Sequence, residues 1–298
     1  MAVTSQRHIA CTLGFITVLA MLAFPAFASV VITRAIDSKA LARKWSYNVY
    51  LPSGYESGTL RYPVLFLLHG NNGTHNDWAV QGRIQATADE LITSGEVPPA
   101  IIVMPDAGST WYIDRKENME SAFVNDLFPD VEAQFRTINA RNGRLLAGLS
   151  MGGYGSLRFA MKFPERFAAA ALLSPAIYDP EPPEGSSARR VGVFGAPDYD
   201  ATVWKQFNYP TLWESYIAKK QPVPMYINSG DDDDFMIESE ATRLYSLLRK
   251  NRHPAELRIV NGAHSWSVWE STIGDAMKYV FRYASRPIPV EATKPSKR

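Results

Sequence analysis

The segment Gly148-Leu149-Ser150-Met151-Gly152 holds a serine between two glycines at the spacing Gly-x-Ser-x-Gly. RLLAGLS (144–150) leads into it as a continuous apolar run, and MGGYGSLRFAMKFP (151–164) leaves it with helical spacing. That context, strand in and helix out, is the one a nucleophile elbow needs: glycines permit the sharp turn, and the serine hydroxyl is presented above the sheet edge. A serine hydroxyl is a poor nucleophile until a base removes its proton. Beyond the amino-terminal stretch the histidines are His69, His75, His253 and His264. In an elbow of this kind the acid and then the base follow the serine in chain order, which leaves His253 and His264. His253 stands before Pro254 in the polar stretch KNRHPAE, where a surface position is expected. His264 follows the apolar run ELRIVNG (256–262) by two residues, on a loop at the same sheet edge as the elbow, and is assigned as the base.

The acid is expected on the loop Ser229-Gly230-Asp231-Asp232-Asp233-Asp234-Phe235. Four adjacent carboxylates repel one another, so three readings stand side by side. One central aspartate orients His264 and stabilises its imidazolium; the cluster holds a hard cation; or it is a solvated acidic turn. Acyl transfer also needs donors for an oxyanion. The backbone N–H of Met151, next to the serine, is one. The second is expected from His69-Gly70-Asn71-Asn72-Gly73, with the Asn71 N–H as donor. His69 closes a buried strand and is read as a hydrogen-bonded loop anchor. Trp78, Trp111, Tyr112, Trp266 and Trp269 flank these loops. The first four are taken as substrate-binding residues able to stack on a sugar or an aromatic acyl group, with plain loop packing as the alternative.

These loops need a scaffold. VVITRAI (30–36) and WSYNVYLP (45–52) alternate and are rich in β formers, so an antiparallel pair is predicted. YPVLFLLHG (62–70), AIIVMPD (100–106), the run at 144–150, AAAALLSP (168–175), VPMYINSG (223–230) and ELRIVNG (256–262) read as strands buried on both faces. Helices are predicted at 80–95, 118–136 with Pro129 as an interruption, 151–164, 237–251 and 266–284. Strands alternating with helices give the α/β class and a mostly parallel sheet. Residues 176–222 break the rhythm with Pro180, Pro182, Pro183 and Gly185, then Tyr199, Trp204, Phe207, Tyr209, Trp213 and Tyr216. A lid or substrate loop is expected there. The segment 286–298 is read as a disordered tail.

Residues 1–8 carry Arg7 and His8, Ile9 to Thr33 hold no charge, and Pro25-Ala26-Phe27-Ala28 ends the apolar stretch. That is the pattern of a secretory signal peptide cleaved after Ala28, placing the protein in the periplasm or medium; an uncleaved anchor is the alternative. Cys11 is the single cysteine, so no intrachain disulfide and no cysteine-based zinc or iron–sulfur site can form. Lysine and arginine number 31 against 30 aspartates and glutamates. This balance gives no footprint for nucleic acid and no polybasic signal for a membrane. With 46% hydrophobic and 20% charged residues the chain is globular.

The pieces LLHGNNGTHNDW (67–78), GLSMGGYGSLRFAMKFPERFAAAALLSP (148–175), INSGDDDDF (227–235) and NGAHSWSVWE (261–270) resemble the esterase D-like branch of the α/β-hydrolase superfamily. WYIDRKENMESAFVNDLFP (111–129) matches more weakly. That branch includes feruloyl esterases, S-formylglutathione hydrolases and mycolyltransferases. The resemblance runs over residues 40–284 with the motifs in order. It implies an α/β-hydrolase domain over 29–285 and supports Ser150, His264, Met151 and Asn71. The family's Gly-x-x-Asp step, laid on Gly230, implies Asp233 as the acid. The chain departs from the pattern by carrying aspartate throughout 231–234, which leaves a one-residue slip open. The expected activity is hydrolysis of short-chain or aromatic-acyl esters, small or carbohydrate-linked, by an exported serine esterase without cofactor or metal. The alternatives are an acyltransferase of the mycolyltransferase type and a non-catalytic binding module on the same scaffold.

Overall fold

Apolar runs of five or six residues that bury both faces build the middle of a central sheet here. The computed structural model describes Met1 and residues 28–290, so the signal-peptide expectation lies outside the described residues apart from Met1 and Ala28. The strands are β1 (Val30–Ser38), β2 (Arg43–Leu51), β3 (Leu60–Arg61), β4 (Val64–Leu68), β5 (Ile101–Pro105), β6 (Arg144–Leu149), β7 (Ala169–Leu173), β8 (Met225–Gly230), β9 (Ala255–Val260) and β10 (Ile288–Pro289). Eight of them form one sheet in the order β1-β2-β5-β4-β6-β7-β8-β9. From β5 to β9 every pairing is parallel, while β1–β2 and β2–β5 are antiparallel. This is the α/β-hydrolase fold, with the antiparallel strands at the amino-terminal end.

Alternation along each strand sends side chains to two cores. In β4, Leu65 and Leu67 enter one and Val64, Phe66 and Leu68 the other. The Leu65 side is covered by α2 (Ile84–Thr93), which follows the one-turn α1 (Asp77–Val80), and by α9 (Trp266–Phe281). The Phe66 side is covered by the segments α3 (Met119–Ala122) and α4 (Phe128–Gln134), by α5 (Met151–Lys162), and by α8 (Ile237–Lys250).

Four local outcomes differ from the sequence reading. The run at 256–262, expected to be buried on both faces, supplies the edge strand β9, which is half exposed because no strand covers its outer side. Pro129 does not interrupt the helix over 118–136. Phe123–Leu127 winds as a single wider π turn between α3 and α4, which absorbs the missing proline N–H at the start of α4. Residues 176–222, expected as a lid or substrate loop, carry two helices that the sequence reading did not predict: α6 (Ala201–Phe207) and α7 (Pro210–Ala218) occupy the second half. Asp200 caps α6 by accepting from Thr202 and Val203, and Pro210 sits at the first position of α7. Trp204, Tyr209 and Tyr216 are buried in the core. The segment expected to be a disordered tail is ordered over its first residues, where Ile288–Pro289 pairs with Leu60–Arg61. The Val290 N–H also donates to the Thr59 carbonyl, extending the pairing by one bond.

Candidate active site

The site is assembled from loops at the carboxyl ends of the parallel strands, where α/β sheets place their ligands. Ser150 joins β6 to α5 with φ 53° and ψ −116°, a backbone state costing about 1–3 kcal/mol that survives only when its surroundings fix it. They do. Its N–H donates to the Leu173 carbonyl at 2.9 Å, and its carbonyl accepts from Tyr154 at 3.0 Å and Ala176 at 3.1 Å. The glycines leave room for this turn. A Cβ on Gly152 would come within 2.5 Å of the Leu68 carbonyl oxygen and 2.7 Å of that of His69.

The His264 Nε2 lies 2.9 Å from the Ser150 Oγ, and its Nδ1 lies 2.7 Å from the Asp233 Oδ2. The imidazole is wedged between Phe235 and Trp269, each edge-on to it with ring centroids 5.0 Å away. The wedge restricts rotation of the ring. Trp269 is held in turn by its indole N–H, which donates to the Ser174 Oγ at 3.1 Å.

The four aspartates separate by direction. Asp231 accepts the Gly262 N–H at 2.9 Å and so ties the acid loop to the histidine loop. These loops pass so closely that Gly230 has no space for a side chain. Asp233 is the aspartate that faces His264; its carboxylate is fully buried, and its other oxygen accepts the Phe235 N–H at 3.0 Å. Asp232 and Asp234 are exposed. Among the described residues no group of three or more His, Cys, Asp or Glu is placed to hold a metal ion.

Met151 opens α5, so its N–H has no carbonyl partner one turn back. Gly70 and Asn71 share the cleft wall with Ser150. The Asn71 loop is anchored by His69. The His69 Nε2 accepts the Ala107 N–H at 2.8 Å, so Nδ1 carries the proton and donates to the Gly70 carbonyl at 2.7 Å. Burial holds the His69 pKa below the usual imidazole value, in keeping with a neutral anchor. The Tyr112 hydroxyl donates to the His69 carbonyl at 3.1 Å.

A serine, an imidazole and a buried carboxylate in one hydrogen-bonded line can raise a nucleophile. The comparisons place the chain in a known group. The model of the Esterase family matches residues 38–280. The chain belongs to the Esterase family. It falls within the esterase D-like branch. Among its relatives is an endo-1,4-beta-xylanase/feruloyl esterase of Xylanibacter ruminicola, 34% identical over 155 residues, which are 48% of this chain and 21% of that protein. Esterase Rv1288 of Mycobacterium tuberculosis is 40% identical over 135 residues, 42% of this chain and 27% of that protein. The chain therefore matches only a part of each. A solved ferulic acid esterase superposes with a TM-score of 0.76 at 29% identity, covering 86% of this chain and 99% of that one.

This Esterase-family cleft has a volume of about 250 Å³. Of the aromatic residues expected to meet substrate, Trp111 and Trp266 are on its wall, as is Trp269. Trp78 and Tyr112 are not. Trp78 is buried and donates to the Leu68 carbonyl at 2.9 Å, and Tyr112 lies under α5 against Gly155. Both are packing residues, a correction to the sequence reading. His253 is half-buried against Tyr216, with its Nδ1 3.3 Å from that hydroxyl, rather than free on the surface.

The sequence reading gave no individual role to Tyr178, Ser187, Arg190 and Phe235, which also line the cleft. The Tyr178 carbonyl accepts from the Trp204 indole at 3.1 Å and from Asn208 at 2.7 Å. The buried aromatic residues of the insertion thus fix one side of the cleft. Trp111 and Tyr112 both adopt left-handed φ, 56° and 55°. No spacing signal announces such a turn in advance, because neither residue type favours it.

Proposed function

We propose that this protein is an exported serine esterase that cleaves carboxylic esters through an acyl-enzyme on Ser150. The observation that carries the reading is the unbroken line Asp233–His264–Ser150 opening into a cleft beside the first N–H of α5. In this reading the His264 Nε2 takes the Ser150 proton as Oγ attacks the ester carbonyl carbon. The oxyanion is received by the N–H groups of Met151 and Asn71. The tetrahedral intermediate collapses, His264 returns the proton to the departing alcohol, and the acyl group stays on Ser150. Water, deprotonated by His264, then attacks the acyl carbon; the acyl–Oγ bond breaks, His264 returns the proton to the Ser150 Oγ, and the acid leaves. Asp233 holds the imidazole tautomer with Nδ1 protonated and stabilises the imidazolium.

The relatives' names, feruloyl and ferulic acid esterase, favour aromatic-acyl esters among the possible substrates. Trp111, Tyr178 and Phe235 on the cleft wall suit a flat acyl group. Water as acceptor fits a cleft of this volume, bordered by polar loops, better than a long lipid channel would. Export rests on the charged start, the uncharged run and the Ala-Phe-Ala ending before Ser29.

The test is a panel of acetyl, butyryl, feruloyl and long-chain esters, run with a serine-directed fluorophosphonate. Turnover of feruloyl esters and a label on Ser150 are expected; absence of both overturns the reading. Amino-terminal sequencing of exported protein should begin at Ser29.

A further inference from the structure

Two adjacent arginines on the insertion are used differently. Arg189 is saturated. Its Nε donates to the Pro182 carbonyl at 2.7 Å, its guanidinium pairs with Glu181 at 3.3 Å and Glu184 at 3.7 Å, and it lies over the Tyr199 ring at 4.4 Å. Among the described residues Arg190 makes one hydrogen bond, from Nη2 to the Gly185 carbonyl at 2.7 Å. Among the described residues no carboxylate lies within ion-pair distance of it. Arg190 is nevertheless on the wall of the cleft that holds Ser150. A guanidinium has five N–H donors in a planar fork, so an anchored Nη2 leaves most of the fork free and aimed by the anchor.

The one carboxylate on the cleft wall is Asp77. It opens α1 in the connection after β4, whereas Arg190 comes from the connection after β7, and these strands flank β6 and its elbow on opposite sides. The Asp77 Oδ1 accepts from the Thr74 hydroxyl at 3.1 Å and has no cation partner among the described residues. The cleft is therefore electrically polarised across the nucleophile. An anionic group is repelled at the Asp77 side and received at the Arg190 side.

We propose that Arg190 is the recognition group for a free carboxylate on the substrate, so that the preferred ester carries an acid besides the ester bond that is cut. The proposal rests on the esterase reading for its kinetic test and stands on the cleft's charge layout for its binding test. The carboxylate could belong to the acyl part, as in a half-ester of a dicarboxylic acid, or to the alcohol part, as in an acylated hydroxy acid. The recognition chemistry is the same.

The acyl arm compares 4-nitrophenyl hydrogen adipate with its methyl ester. The alcohol arm compares 4-acetoxybenzoate with methyl 4-acetoxybenzoate. In each arm the ratio of kcat/KM, acid to methyl ester, is measured for the wild type, Arg190→Lys and Arg190→Gln. A charge-assisted hydrogen bond of ordinary strength predicts that Arg190→Gln lowers the ratio about tenfold in one arm, and the responding arm names the carboxylate's source. Arg190→Lys should recover part of it. Raising the salt concentration should narrow the wild-type ratio. Equal ratios in wild type and Arg190→Gln in both arms overturn the proposal.

A binding measurement avoids turnover. Calorimetry of monomethyl adipate and dimethyl adipate on Ser150→Ala and on Ser150→Ala/Arg190→Gln should show tighter binding of the acid, lost in the double variant. Equal binding of the two ligands to both variants overturns the proposal. Arg190-dependent binding without turnover of any ester would overturn the esterase reading and leave the carboxylate site standing.

Discussion

The loops at the strand ends and the insertion at 176–222 both border the cleft, but they are built in opposite ways. Ser150, Asp233 and His264 hang on backbone that the sheet determines almost completely, with the Ser150 N–H and carbonyl pinned by three hydrogen bonds. The insertion owes its place to side chains. Trp204 is fully buried among Trp111, Tyr154 and Phe194, and the Tyr154 and Arg158 side chains both donate to the Phe207 carbonyl. Arg158 is itself buried and paired with Glu120 at 3.0 Å. The Ser150–His264–Asp233 geometry is thus fixed by backbone, and the shape of the cleft by aromatic packing. The two should fail separately.

The sharpest break is Ser150→Ala, which should lower kcat by about 10⁶-fold with the urea midpoint nearly unchanged. Ordinary turnover in a folded variant removes the nucleophile assignment. Next is Asp233→Asn, with an expected loss of about 10⁴-fold in kcat, because the amide stabilises the wrong imidazole tautomer. Asp232→Asn and Asp234→Asn, both exposed, should stay within about twofold of the wild type by the same reasoning about contact with His264. If 232 or 234 carries the dominant loss, the acid is displaced by one position.

Trp204→Ala addresses the other region. Removing a buried indole should cost about 3–5 kcal/mol in urea unfolding, while the surviving folded fraction still reacts with a fluorophosphonate at Ser150. Loss of labelling in protein that remains folded would erase the distinction between the regions. The smallest effect concerns His69. Its folded-state pKa lies below that of the unfolded chain, so below the usual imidazole range the unfolded state binds the extra proton and stability falls as pH drops. The slope from this one group is at most about 1.4 kcal/mol per pH unit. His69→Asn should flatten the fall of Tm between pH 7 and 5, and an unchanged slope would show that burial of His69 does not set it.

The same division explains what could be read in advance. The strands β4 to β8 were legible because each is a short apolar run between turn residues; β9 was placed correctly but misread as buried on both faces, because its Glu256 and Arg258 belong to a half-exposed edge strand. Ser150 and His264 were legible because glycine spacing and chain order are one-dimensional properties. Asp233 needed the family's spacing, since four identical neighbours differ only in direction, which the fold supplies. Trp78 and Tyr112 were misread because a large ring beside a motif looks the same whether it faces a ligand or fills the space under a helix. The helices at 201–218 were hidden by aromatic content, although Asp200 and Pro210 carried ordinary start signals. Arg190 differs from Arg189 only through partners brought in by folding, so no pattern in the chain separates them.

The pairing of β10 with β3 has a consequence for how the molecule can be mounted. Leu60–Arg61 lies just ahead of β4, and Ser285 donates its N–H to the Asn142 carbonyl just ahead of β6, so the chain leaves residue 290 at the amino edge of the sheet. β1 also starts at that edge, because Val30 is opposite Leu51 at the end of β2, which runs against β5. Both ends of the described domain therefore emerge on the side away from Ser150. A bead, a scaffold or a neighbouring module tethered at either end would hold the protein by its back, with the cleft facing outward.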